Sequence, residues 1–72
     1  MEPRTITDPA ELGTAIRERR HELGLTQSDV AEVARTSLRF VSELESGKRT
    51  AQLGAVLRVL AALGVELDAR AR

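Results

Sequence analysis

Apolar residues recur along the chain at helical intervals from Pro9 to Gly64, and each run is bounded by residues that start and stop helices. Asp8, Pro9 and Glu11 form the first start signal: Asp8 caps, Pro9 takes the first helical position, and Glu11 follows three residues after the cap. The helix they open carries Leu12, Ala15, Ile16 and Leu23 as its apolar positions, and Gly24 suits the left-handed residue that ends it. Thr26, with Asp29 three residues on, opens a second, short helix with a narrow inward face of Val30, Ala31 and Ala34. Ser37 caps a third, with Val41 and Leu44 inward and Gly47 as its stop, so that only Arg35 and Thr36 separate the two short helices. Thr50 is expected to cap a fourth helix, in which Leu53, Val56, Leu57 and Leu60 form one stripe while Val59 and Leu63 widen it to an adjoining face. After Gly64 the period changes. Val65 and Leu67 alternate with Glu66 and Asp68, as in a half-buried strand that needs a partner.

These elements predict an all-α bundle of four or five helices with a short C-terminal strand used in dimerisation. The chain reads as one domain over residues 1–72, its core at 8–64 and the dimerisation strand and tail at 65–72. At 72 residues, folding buries only about 60% of the unfolded surface, and a second copy would supply missing burial. Two features call for it: helix four is apolar on two faces, and the terminal strand is unpaired. Packing across a two-fold axis is therefore expected to use Val59, Leu63, Val65 and Leu67.

Composition narrows the chemistry. There are no cysteines and one histidine, which excludes disulfides and thiolate zinc sites, implies no cofactor, and fits a reducing cytoplasm. No stretch resembles a secretory leader, and no apolar run approaches the roughly 20 residues of a membrane helix. A nucleophile beside a base and a phosphate-binding glycine loop are both missing, so the chain does not read as an enzyme. Eleven basic residues balance 11 acidic ones, whereas nucleic-acid binders are usually basic. The distribution is less neutral than the sum, because basic residues group at Arg17, Arg19 and Arg20, at Arg35 and Arg39, and at Lys48 and Arg49. Phe40 is the one aromatic residue, too few for stacking single-stranded bases.

Two short helices joined by a tight turn, after a longer helix and before another, form the arrangement that presents a recognition helix to the DNA major groove. The stretch from Leu23 to Arg49, LGLTQSDVAEVARTSLRFVSELESGKR, resembles the Xre/Cro family of phage-repressor-like helix-turn-helix proteins, with the LGLTQ start and the E-S-G-K exit as its specific marks. Thr50 to Asp68, TAQLGAVLRVLAALGVELD, is similar to the last helix and terminal strand of HipB-type antitoxins. The resemblance implies a homodimeric repressor of double-stranded DNA with an inverted-repeat operator, and, for the HipB subgroup, autoregulation and a HipA-like kinase toxin as partner. Two alternatives stay open: a stand-alone phage-type repressor, and a protein-binding adaptor that keeps the fold without using it on DNA.

On the third helix, Leu38, Arg39, Ser42 and Glu43 point away from the Val41 and Leu44 stripe and make the expected reading face. Arg39 is the candidate for bonding guanine O6 and N7 together. Glu43 is suited to accept from cytosine, Leu38 to touch a thymine methyl, and Ser37 to bond a base or a phosphate. By the resemblance, Gln27 bonds the DNA backbone at the start of the second helix, and Ser46, Lys48 and Arg49 do so from the exit loop, fixing register without reading sequence. Lys48 and Arg49 also fit as cations favoured at a helix C-terminus. Arg20 and Glu45 match a structural pair that joins the first and third helices. Arg35 stands where the family usually has glycine, so it is expected to adopt a left-handed conformation at a cost of roughly 1 kcal/mol. Thr36 replaces a common aliphatic residue beneath that turn.

Overall fold

The computed structural model describes residues 1–72 and arranges them as four helices: α1 (Pro9–Glu22), α2 (Gln27–Ala34), α3 (Leu38–Glu45) and α4 (Leu53–Ala62). Each begins on a side chain that satisfies a free backbone N–H of its first turn. Asp8 Oδ1 accepts from the Glu11 N–H at 2.8 Å, while the Glu11 carboxylate reaches back to the N–H and hydroxyl of Thr7 at 2.7 and 2.6 Å. Thr26 and Asp29 exchange a full capping box at 3.0 and 2.9 Å. Ser37 Oγ accepts from the Phe40 N–H at 3.0 Å. The fourth cap corrects the sequence reading: Gln52, not Thr50, opens α4, its Oε1 accepting from the Ala55 N–H at 2.6 Å. The longer amide side chain spans to the same N–H that a shorter hydroxyl reaches from the cap position.

All four helices end alike. The N–H of Leu25, Thr36, Lys48 and Val65 donates to the carbonyl five residues back, on Arg20, Ala31, Glu43 and Leu60, at 2.9 to 3.1 Å. This closure needs a left-handed residue just before it. Glycine supplies that residue at Gly24, Gly47 and Gly64, whereas α2 uses Arg35 at φ 57° and ψ 49°. A side chain with a Cβ therefore sits in the turn, as expected from the sequence.

Ile16, Val30, Val41, Val59 and Leu63 are the largest fully buried side chains, joined by Ala31, Ala34, Leu44, Val56 and Leu60. They draw α2 against both α3 and α4, and α1 against α3. The α1–α3 approach is closest at Gly13, where a Cβ would lie 2.5 Å from the Leu44 carbonyl oxygen, so only glycine fits without a backbone shift. Two arginines tie helix ends together. Arg58 Nε of α4 donates to the Ala34 carbonyl at 2.9 Å, and Arg19 Nε of α1 donates to the Leu63 carbonyl at 3.0 Å.

The structure departs from the sequence reading in three further places. Leu23, assigned to the inward stripe of the first helix, lies beyond α1 and is 42% exposed. On α4 the inward face is Val56, Val59, Leu60 and, at its end, Leu63, while Leu53 and Leu57 are exposed. Val59 and Leu63, expected across a dimer axis, belong instead to the core of a single chain, because α1, α2 and α3 already enclose that side of α4. The C-terminal strand does not form: residues 65–72 have no regular structure. Within one chain no other strand is present to take its hydrogen bonds, so Val65 turns its N–H back to close α4 and half-buries its side chain against the core, leaving Leu67 exposed. No helix is long and apolar enough to cross a membrane.

Candidate nucleic-acid interface

The α2–turn–α3 unit places α3 on the surface with one face inward. Val41 and Leu44 are buried, and Phe40 packs at the edge of the core. Leu38 and Arg39 are exposed and Ser42 and Glu43 half-buried on the outer side. Ser37 is exposed at the N-terminus of α3 with its oxygen engaged in capping, which leaves its hydroxyl proton free to donate outward. At the other end, Ser46 is exposed, its hydroxyl donating to the Ser42 carbonyl at 3.0 Å, and Lys48 and Arg49 are exposed in the loop that follows. The structure thus gathers Ser37, Leu38, Arg39, Ser42, Glu43, Ser46 and Lys48 along α3 and its exit.

Glu43 links two of these residues directly. Its carboxylate lies 3.7 Å from Arg39 Nε and 3.4 Å from Lys48 Nζ. Arg39 is otherwise open to solvent, its side chain 85% exposed.

Gln27 is attached to this face from the side, through a polar cluster under the C-terminus of α3. Arg20 donates to both oxygens of Glu45, from Nε at 2.7 Å and Nη2 at 3.0 Å, and from Nη1 to the Leu25 carbonyl at 2.9 Å. Gln27 Nε2 donates to the same carboxylate at 3.1 Å. Burial alone disfavours the charged form of Glu45, but the hydrogen bonds from Arg20 and Gln27 and the charges of Arg20 and Arg17 outweigh it and hold its carboxyl below the ordinary value. The pair is structural, fixing the end of α3 to α1 and to the start of α2. Gln27 therefore has a side chain already oriented, with its amide oxygen still available as an acceptor.

Arg17 was not assigned a role by its sequence position. It is exposed on α1, and its charge acts on Glu45 from the same groove that Thr14, Arg17 and Glu45 line. Gly13 and Gln52 were missed as well. A glycine inside a helical pattern was the available signal for Gly13.

The model of the helix-turn-helix domain family matches residues 11–72. The chain belongs to that family. Among helix-turn-helix proteins, an uncharacterised HTH-type transcriptional regulator of Sinorhizobium fredii (strain NBRC 101917 / NGR234), y4mF, is 48% identical over 63 residues, covering 88% of this chain and 83% of the relative. The helix-turn-helix fold also superposes on solved structures along almost its whole length. A chain of a HipB-O4 20mer complex aligns with a TM-score of 0.87 at 22% identity, over 96% of this chain and 97% of that one. A chain of a HipA-HipB-O2-O3 complex aligns with a TM-score of 0.88, also at 22% identity and over 96% and 97% of the two chains. At that identity the likeness establishes the fold.

Proposed function

We propose that this helix-turn-helix protein is a transcriptional repressor that binds double-stranded DNA by inserting α3 into the major groove. The observation that carries the reading is the outer face of α3. A helix closed by capping at its N-terminus presents Leu38, Arg39, Ser42 and Glu43 on one side, with Lys48 and Arg49 at its exit and Gln27 held beside it. Arg39 reads guanine, Leu38 and Ser42 face the neighbouring bases, and Ser37, Gln27, Ser46, Lys48 and Arg49 meet phosphates and fix the register. The family membership and the regulator of Sinorhizobium fredii support the same reading.

The repressor acts as a homodimer on an inverted repeat, with two recognition helices about 34 Å apart on successive major grooves. The exposed apolar residues Leu53 and Leu57 on α4, with Leu67 beyond it, supply a surface for the second copy. The likeness to chains in HipB complexes, one of which also contains HipA, supports a HipB-like antitoxin role with a HipA-like toxin as partner, and copurification of the neighbouring gene product tests it. Failure to find such a partner leaves a stand-alone repressor.

The central test is a titration against duplex DNA of the chain's own promoter at several salt concentrations. The expected result is specific binding whose logarithm falls linearly with the logarithm of salt. Equal, weak binding to promoter and unrelated duplexes would favour the adaptor reading.

A further inference from the structure

The reading face contains a negative charge at its centre, where a polyanion is to be met. Glu43 lies one turn after Arg39 and five residues before Lys48, with its carboxylate 3.7 Å from Arg39 Nε and 3.4 Å from Lys48 Nζ. Exposed ion pairs of this kind contribute little to folding stability, so their consequence is to be sought at the DNA. The geometry is informative about which atoms are taken. Glu43 approaches Arg39 through Nε and leaves both terminal nitrogens of the guanidinium free, and those two donors are the ones that match guanine O6 and N7.

We infer that Glu43 is the residue that makes Arg39 selective: it holds the guanidinium in the orientation that reads guanine and offsets the positive charge that would otherwise bind phosphate of any sequence. The inference rests on the DNA-binding reading of α3. On a correct site Arg39 keeps its contact with Glu43 and adds two bonds to a neutral base edge. On any other sequence Arg39 and Lys48 have only phosphates to gain, and each such contact draws a cation away from Glu43 and brings a phosphate toward a carboxylate. Non-specific binding arises from net charge. Here two cations and one carboxylate present a net charge of one instead of two, and the loss falls on wrong sites more than on the right one.

The test compares the unmutated protein with Glu43→Gln, Arg39→Ala and the double variant, on a duplex enriched by the protein from a random-sequence library and on a scrambled duplex of equal composition. Melting curves verify that each variant folds, as expected for positions on the outer side of α3. Glu43→Gln is expected to bind the scrambled duplex several-fold more tightly, with a salt slope steeper by about one, and to leave the enriched duplex nearly unchanged, so that discrimination falls by the same several-fold. The effect of Arg39→Ala on the enriched duplex is expected to shrink when Glu43 is already replaced, since the two act together. Glu43→Asp keeps the charge but withdraws it from Arg39, and is expected to lose discrimination while keeping the weak scrambled binding. Equal gains on both duplexes for Glu43→Gln would overturn the inference, leaving only general repulsion. So would a loss on the enriched duplex that persists in full in the Arg39→Ala background, which would make Glu43 a base reader in its own right. If no duplex can be enriched, the DNA-binding reading fails and takes this inference with it.

Discussion

Arg35 occupies the one left-handed position among the four helix ends that is not glycine. Its Cβ crowds the following carbonyl at a cost of about 1–2 kcal/mol, partly offset because glycine would loosen the unfolded chain. Arg35→Gly is therefore expected to stabilise the fold by up to about 1 kcal/mol, which raises Tm by a few degrees in a domain of this size, with about 4–8 °C per kcal/mol. A melting curve unchanged or lowered would show that the turn carries no strain. Glu45 makes the opposite kind of contribution. Its carboxyl is held below the ordinary value in the folded state, so the stability it confers is complete above the unfolded value of about 4.3 and is lost as pH falls through the lower folded value. Glu45→Gln leaves Arg20 without its countercharge and is expected to cost about 2–3 kcal/mol at neutral pH. Tm measured from pH 3 to 7 should fall in acid for the unmutated protein and vary less for the variant. Parallel curves would remove Glu45 from the acid response.

At the scale of elements, three of the four helix starts were legible because short polar caps followed by apolar periodicity are local chemistry. Gln52 escaped because glutamine is not a preferred capping residue. The turn and α3 were legible for the same local reason, and so were the inward and outward sides of α3. Within α3 and its exit, the two cations tied to Glu43 are expected to behave differently. Arg39→Ala should weaken binding to the specific duplex by about 1–3 kcal/mol and non-specific binding by clearly less, as measured by fluorescence anisotropy. Equal loss on both duplexes would end its assignment as a base reader. Lys48→Ala should weaken all duplexes alike and lower the salt slope by about one. An unaltered slope would leave Lys48 as a cation serving the end of α3.

At the scale of the whole molecule, the placement of α4 decides which residues remain for a second copy. Val59 and Leu63 are enclosed by the chain's own helices, while Leu53 and Leu57 face outward at 66% and 41% exposure and Leu67 at 69%. Leu57→Glu is accordingly expected to yield a folded protein of half the mass by light scattering, with weaker affinity for an inverted repeat although the reading face is untouched. Val59→Glu, by contrast, buries an unpaired charge and should unfold the chain. A Leu57→Glu protein that remains dimeric, or an unmutated protein that is monomeric at its DNA-binding concentration, would remove α4 from the interface.

By itself the sequence determined where three of the four helices begin, where all four end, and which residues of α2 and α3 face inward. These depend on side chains a few residues apart. Only the tertiary structure decided which face of α4 is buried, because both faces are apolar and the choice rests on what the other three helices present. It also decided that Gly13 is the point of closest approach between α1 and α3, and that Gln27 shares Glu45 with Arg20. Those contacts join residues 18 to 32 positions apart, and no local pattern encodes such a distance. The terminal alternation of Val65 to Asp68 shows the same limit from the other side. A strand pattern is a local property, but a strand is a pairing, and a single chain offers residues 65–68 no neighbour with which to pair.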